Sequence, residues 1–166
     1  MENVKKPLII VKAQEGTALS VVGDSYRIIM SGEQTGGAFA TIDMLIPPGG
    51  GPGPHSHAGF QESFYVIDGE IEFKSEASTY IATTGTFVSI PKGGIIHGFK
   101  NKTDATVHLL CTVIPSGLEE MFIEMGKVVP FGEFLPPPTM DPEMQKKMES
   151  IAEKHGTKVY PPDYLG

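Results

Sequence analysis

The chain of 166 residues has a length typical of one domain, and its 20 acidic and 13 basic residues give a formal net charge of -7. Its basic residues form no cluster longer than the pairs Lys5-Lys6 and Lys146-Lys147, which argues against nucleic acid as a partner. The N-terminal apolar run, residues 8–11, is too short for a signal-peptide core or a membrane span, so we expect a soluble cytoplasmic protein with no membrane partner.

Short apolar runs dominate the first two thirds of the sequence. They are rich in β-branched and aromatic residues and are separated by glycine and proline, which is typical of an all-β sandwich or barrel. The predicted strands are 8–11, 18–22, 26–30, 38–46, 62–67, 70–74, 79–82, 86–90, 96–100 and 106–114. Asp68-Gly69 lies between two alternating runs and predicts a hairpin with a type I′ turn. Cys111, the one cysteine, lies in the last run and is predicted to be a small buried residue.

Two helices are predicted after the strands. Ser116 and Glu119 have the spacing of a capping box at the start of the first helix. Asp141 and Pro142 suit the N-cap and the first position of the second helix. No linker separates these helices from the strands, so they are expected to pack on the barrel.

The predicted organisation is therefore a β-barrel over residues 1–114 and a helical extension over residues 115–166. Five of the eight methionines lie in the extension. Methionine-rich helix faces serve as adaptable core packing or as a cover over a ligand, and the sequence leaves both open.

A group of histidines and one glutamate carries the chemistry. His55 and His57 are two residues apart, so a strand directs both imidazoles to one face. Glu62 lies five residues after His57, an odd number, so on a straight strand its side chain would point to the other face. A bend or bulge near Gly59 is required to bring it to the face of the histidines. His97, after a loop rich in glycine and proline, would supply a third imidazole. Three neutral nitrogens and one carboxylate suit a divalent transition metal and, in octahedral geometry, leave two positions for water, dioxygen or substrate.

These residues resemble the two motifs of the cupin superfamily. The first, G-x5-H-x-H-x3or4-E-x6-G, is matched by Gly49, His55, His57, Glu62 and Gly69. The second, G-x5-P-x-G-x2-H-x3-N, is matched by Gly85, Pro91, Gly93, His97 and Asn101, with one extra residue before the histidine. The resemblance implies an all-β double-stranded β-helix (jelly-roll) barrel. It also implies one divalent transition metal ion (Fe, Mn, Ni, Cu or Zn) held by His55, His57, Glu62 and His97.

Within that superfamily the segment "HSHAGFQESFYVIDGEIEF" is most similar to small single-domain proteins resembling quercetin dioxygenases. This resemblance implies a metal-dependent dioxygenase acting on a small aromatic or enolic substrate, with Glu62 as both ligand and proton acceptor. The predicted substrate pocket consists of Phe60, Phe64, Phe99 and Asn101. Two alternatives stay open, since the cupin fold serves several roles: a metal-dependent isomerase or lyase, and a non-catalytic protein that binds a small molecule.

Small cupins also resemble one another in forming dimers through exchanged strands or tails. That resemblance implies a homodimer here. The exposed backbone of an edge strand is a template for pairing with another chain, and residues 8–11 are the candidate for the exchanged strand.

Overall fold

Two antiparallel sheets share one hydrophobic core in the computed structural model, which describes residues 5–166. The larger sheet contains, in spatial order, β11 (Lys127–Val128), β1 (Thr17–Val21), β2 (Asp24–Met30), β3 (Ala40–Ile46), β10 (Val107–Ile114), β5 (Gln61–Asp68) and β8 (Phe87–Ile90). The smaller sheet contains β12 (Thr157–Val159), β4 (His55–His57), β9 (His97–Lys100), β6 (Glu70–Ser75) and β7 (Thr79–Thr83). The helices are α1 (Gly32–Thr35), α2 (Leu118–Met125) and α3 (Pro142–Lys154). The prediction of an all-β jelly roll with C-terminal helices is confirmed.

Alternation along the strands determines which side chains reach the core. In β10 every second residue, from Val107 to Val113, is buried, and the residues between them are partly exposed. Across the core, the rings of Phe64, Phe73 and Phe99 lie 5.2–5.3 Å apart between centroids. The two pairs that include Phe64 join the sheets, while Phe73 and Phe99 are cross-strand neighbours in the smaller sheet. Each pair contributes about 0.5–1.5 kcal/mol beyond the burial of its area.

The Asp68-Gly69 turn is a corner between the sheets, and the predicted hairpin is wrong. It joins β5, which pairs with β10 and β8, to β6, which pairs with β9 and β7. Only Gly69 of the two turn residues has a positive φ, 98°, whereas a type I′ turn needs positive φ at both central positions. A Cβ on Gly69 would lie 3.0 Å from a methyl carbon of Val107. Glycine therefore allows the chain to change sheets against the core.

The strand predicted at residues 8–11 is absent from the structure within the described residues, and that prediction is wrong. Leu8 is 90% exposed and Ile10 is 76% exposed. The edge of β1 that this run could have joined is occupied by β11, with Leu19 opposite Val128. The exchange of the run between two copies stays a prediction.

Residues 115–166 do more than add helices to the barrel. They also supply one outer strand to each sheet, because β11 pairs with β1 and β12 pairs with β4. Ile151 and Ala152 of α3 are buried in the shared core. No helix of the described part of the chain is long and apolar enough to cross a membrane.

The start of α3 is as predicted, and the start of α2 differs. Asp141 Oδ1 accepts a hydrogen bond of 2.8 Å from the Met144 N–H, as expected of an N-cap. The N-cap of α2 is Gly117 rather than Ser116. The buried Glu119 carboxylate accepts 2.7 Å hydrogen bonds from the N–H groups of Gly117 and Gly32. Glu119 therefore caps α2 and fixes α1 against it.

Asn101 is fully buried, and other parts of the chain satisfy its amide. Its Nδ2 donates to the carbonyl oxygens of Ile46 (2.9 Å) and Ala105 (2.7 Å). Its Oδ1 accepts from the backbone N–H and the hydroxyl of Thr103, at 2.9 and 2.8 Å. The amide holds the end of β3 and the loop before β10 together, so we do not include Asn101 in the substrate pocket.

Replacing Asn101 with alanine is expected to lower the free energy of unfolding by about 2–4 kcal/mol, because buried partners lose their hydrogen bonds. Urea unfolding followed by circular dichroism measures this loss. Thr103→Val is the matched control, since it removes only the hydroxyl and should cost about 1 kcal/mol. An unfolding midpoint of Asn101→Ala equal to that of the unmodified protein would contradict the assignment.

Candidate metal centre

The four predicted ligands come from three strands in two sheets. His55 and His57 lie on β4, and His97 lies on the neighbouring β9 with His55 as its cross-strand partner. Glu62 lies on β5 in the other sheet. The strand is interrupted near Gly59, as predicted. The interruption arises because residues 58–60 carry the chain from one sheet to the other. The centre is therefore built between the sheets.

The ligand atoms of these four residues all lie within 4.8 Å of one another. Glu62 Oε2 is 3.1 Å from His57 Nε2 and 3.7 Å from His97 Nε2. His57, Glu62 and His97 are only 2%, 4% and 3% exposed, and His55 is partly exposed. The structure thus forms a cluster able to bind a metal ion, with His55 on its more open side.

Backbone carbonyls orient all three imidazoles. Each Nδ1 lies within hydrogen-bond distance of a carbonyl oxygen, which can only accept. The partners are Gly53 O for His55 (2.9 Å), Phe60 O for His57 (3.2 Å) and Ile95 O for His97 (2.9 Å). Nδ1 therefore carries the proton, and the lone pair of each Nε2 is left for the centre, which is the usual arrangement of metal-binding histidines.

The charges in the cluster favour a cation. Burial raises the pKa of the Glu62 carboxyl, but the neighbouring imidazoles of His57 and His97 outweigh this effect and lower that pKa to about 2. Burial, followed by the nearby His97, lowers the pKa of His55 to about 4. At neutral pH the cluster therefore offers an ionised carboxylate and a neutral imidazole.

The residues present fit a divalent metal ion. His97 Nε2 is buried and has no hydrogen-bond partner in the described chain, and such an orphaned acceptor is costly unless it has a partner. Metal–ligand bonds of about 2.0–2.2 Å place opposite ligands about 4.2 Å apart. The ligand atoms here all lie within 4.8 Å of one another, which is close to that span.

Comparisons with known proteins agree with the fold. Residues 42–113 match the family described as Cupin domain. Over these residues, the chain is similar to the cupin domain. A comparison with curated proteins found no match.

Solved structures resemble the cupin domain and its flanking strands at low sequence identity. A predicted oxalate decarboxylase from Thermotoga maritima is 22% identical with a TM-score of 0.58, over 64% of this chain and 99% of that chain. Ectoine synthase from P. lautus is 20% identical with a TM-score of 0.57, over 81% and 99% of the two chains. A sugar phosphate isomerase of the cupin superfamily from Silicibacter pomeroyi is 20% identical with a TM-score of 0.55, over 67% and 77%. At these identities the likeness shows the fold.

A buried thiol contacts the ligand set of the cupin domain. Cys111 Sγ lies 3.4 Å from Glu62 Oε1, as a hydrogen-bond donor. Burial, and then the charge of Glu62, raises the pKa of the thiol, so it keeps its proton. Cys111 is buried as predicted, but its contact with Glu62 depends on the pairing of β10 with β5, which the sequence does not reveal.

A cavity of about 400 Å³ opens between the edge strands β7 and β8 and reaches His97. Its apolar wall consists of Phe73, Tyr80, Phe87, Val88, Ile90, Pro91 and Ile95. Hydroxyl groups from Ser75, Ser78, Thr86 and Ser89 also line it, and Lys74 is the one lysine among the lining residues. Side chains alternate along β7, so Tyr80 points to the same face as the buried Ala82. Only the three-dimensional structure shows that the barrel is open between β7 and β8.

The predicted pocket residues lie around this cavity rather than on its wall. Phe60 stacks on the His57 ring, with centroids 4.1 Å apart and planes 12° from parallel. Phe64 is in the core. Phe99 is also buried, and it lines a second cavity of about 300 Å³ beside Pro162 and Leu165. The three phenylalanines therefore support the ligand set and the core, and the cavity at His97 uses other side chains.

A second buried carboxyl fixes the loop that leads to His55. Asp24 Oδ1 accepts from the Gly51 N–H at 3.3 Å, and Oδ2 accepts from the Tyr26 hydroxyl at 2.8 Å. Burial raises the pKa of Asp24 from its usual 3.8 to about 6, although both hydrogen bonds lower it. The charged form of Asp24 is therefore less stable in the folded protein than in water.

Replacing Asp24 with asparagine is expected to stabilise the protein above about pH 6. The folded carboxyl binds its proton more tightly than the unfolded one. Its contribution to stability is thus complete below pH 3.8 and is lost as the pH rises through about 6. Neutral asparagine avoids this loss, on the order of 2–3 kcal/mol, and retains partners for Gly51 and Tyr26.

Urea unfolding of the two proteins at about pH 4 and about pH 8 measures the effect. The difference in the free energy of unfolding should be larger at the higher pH. An equal difference in the free energy of unfolding at both pH values would show that folding does not raise the pKa of Asp24.

Proposed function

We propose that this cupin domain is a metal-dependent dioxygenase acting on a small aromatic or enolic substrate. The observation that carries the proposal is a set of three histidines and one glutamate, of which His97 lines a largely apolar cavity. A divalent ion held by His55, His57, Glu62 and His97 would supply Lewis-acid chemistry and, if redox-active, one-electron chemistry with dioxygen.

The side chains of the cavity favour a flat substrate with few charges. Phe73 and Tyr80 offer aromatic surface beside His97, and the serine and threonine hydroxyls can bind oxygen substituents. Glu62 is ionised at neutral pH, because its pKa is lowered to about 2. It is therefore able to accept a hydrogen bond from an enol or phenol hydroxyl placed against the ligand set. A metal ion held there would lower the pKa of that hydroxyl, and its proton could then pass to Glu62.

The same side chains argue against small polyanions. Phosphate groups and paired carboxylates are commonly bound by arginine clusters, which match their geometry. The one arginine of this sequence, Arg27, donates to Asp43 at 2.7 Å instead. Lys74 alone would face a doubly charged ligand in the cavity. The names of two similar proteins refer to oxalate and to sugar phosphates. We therefore consider these compounds less suitable as substrates here than aromatic and enolic compounds.

The experiment combines elemental analysis with oxygen uptake. Protein purified without a histidine tag is analysed for iron, manganese, nickel, copper and zinc. It is then assayed for oxygen uptake with flavonols, catechols and β-diketones, with chelator-treated protein as the control. We expect near-stoichiometric metal and uptake that disappears on chelation.

The alternatives give different results in the same experiment. Turnover of a hydroxy-carbonyl compound without oxygen uptake, restored by zinc, would indicate an isomerase or lyase. Bound metal with neither activity would indicate a protein that only binds its ligand. Protein without metal, even after incubation with each ion, would contradict the metal centre itself.

A further inference from the structure

We infer that Cys111 is a positioning residue of the metal centre, which holds one oxygen of Glu62 and thereby directs the other towards the imidazoles. This inference rests on the proposed metal site. It concerns how that site is kept in shape, and it does not depend on which reaction the site catalyses.

The two oxygens of Glu62 have different surroundings. Oε2 faces the ligand set, at 3.1 Å from His57 Nε2 and 3.7 Å from His97 Nε2. Oε1 lies 3.4 Å from Cys111 Sγ, which is its hydrogen-bond donor. Glu62 is buried, so water does not readily satisfy Oε1. The thiol is therefore the group that distinguishes the two oxygens.

A carboxylate needs such a partner because its terminal torsion is soft. Rotation about the last bond of a glutamate side chain is broad and roughly two-fold. Without a donor on Oε1, the carboxylate can rotate and present its oxygens to the centre in several ways. A thiol is a weak donor, so it can hold Oε1 while the negative charge stays available for a cation.

Cys111 is itself held rigidly. It is fully buried in β10, near the middle of the larger sheet, with Ile42 of β3 and Phe64 of β5 as its cross-strand partners. Cysteine sulfur is a good metal ligand, yet Cys111 lies outside the group of four whose ligand atoms converge. Cys111 therefore acts on the metal centre by holding Glu62 in place, and it is not itself a metal ligand.

The test measures the affinity for Mn²⁺ and Zn²⁺ by competition with a chelator. Cys111→Val removes the donor and keeps a buried apolar side chain. It should lower the affinity for both ions about 10–100-fold, as loss of a residue that orients a ligand typically does. Cys111→Ala removes the donor without added volume and should show the same loss. Cys111→Ser keeps a donor on Oε1 and is expected to restore most of the affinity. The electron paramagnetic resonance spectrum of the Mn²⁺ form should change in Cys111→Val and be largely restored in Cys111→Ser.

Leu109→Ala is the matched packing control, since Leu109 is buried on the same face of β10 and belongs to the same core. It should lower the unfolding temperature and leave both affinities unchanged. Unchanged affinity in Cys111→Val and Cys111→Ala would overturn the inference. So would a Cys111→Ser protein as weak as Cys111→Val, because packing alone would then explain the loss. Failure of the unmodified protein to bind either ion would instead overturn the metal centre, and this role with it.

Discussion

Replacing His97 with alanine is expected to remove the bound metal while leaving the barrel folded. His97 supplies a buried nitrogen that has no other partner in the described chain, and its ring is already oriented by Ile95. Its loss removes one of four ligands and opens the inner end of the cavity. Loss of a residue that only orients a ligand typically lowers metal affinity about 10–100-fold. Loss of His97, a ligand itself, should lower the affinity for the metal by more than that.

Elemental analysis after dialysis, together with far-UV circular dichroism, measures both parts of this result. His108→Ala is the matched control, because His108 is also a strand histidine beside a carboxylate, that of Asp43, but it lies outside the cluster. It should keep its metal. Stoichiometric metal retained in both His97→Ala and His55→Ala would contradict the ligand assignment.

The sequence predicted the ligand set because its signal is local. The two-residue spacing of His55 and His57 determines that both face the same side of a strand, whatever the rest of the chain does. The required break before Glu62 also followed from parity alone. The positions of most strands were likewise readable from their apolar runs, and burial alternates clearly along β5 and β10.

Features that depend on pairing between distant strands were not predictable. The Asp68-Gly69 turn has hairpin chemistry, but the strands on either side belong to different sheets, and no local pattern distinguishes a corner from a hairpin. Asn101 shares the parity of His97, yet it follows the end of β9 at Lys100 and turns into the loop that it stabilises. The contact of Cys111 with Glu62 likewise needs the register between β10 and β5.

The role of the C-terminal segment is the largest difference from the sequence prediction. β12 pairs directly with the strand that carries two of the ligands, with Thr157 opposite His57 and Val159 opposite His55. The Tyr160 N–H also donates to Pro54 O at 3.0 Å, next to the ligand strand. Residues 115–166 are thus part of the support of the metal centre, so a barrel cut after residue 114 would leave β4 without its outer neighbour.

Replacing Glu62 with glutamine is expected to reduce turnover more than it reduces metal loading. Glutamine keeps the shape of the side chain and still offers one oxygen, so the three imidazoles can retain an ion. It removes the charge that lets Glu62 accept a proton. Loss of a proton acceptor typically lowers the rate about 10²–10⁴-fold.

The measurement is oxygen uptake per bound metal, with whichever flavonol, catechol or β-diketone the unmodified protein turns over. Glu72→Gln is the matched control, because Glu72 pairs with Lys102 at 2.8 Å and lies outside the ligand cluster. Its turnover should equal that of the unmodified protein. Undiminished turnover per bound metal in Glu62→Gln would exclude Glu62 as the proton acceptor and leave it the role of ligand alone. A loss of metal equal to the loss of turnover would show that the charge of Glu62 serves chiefly to hold the ion.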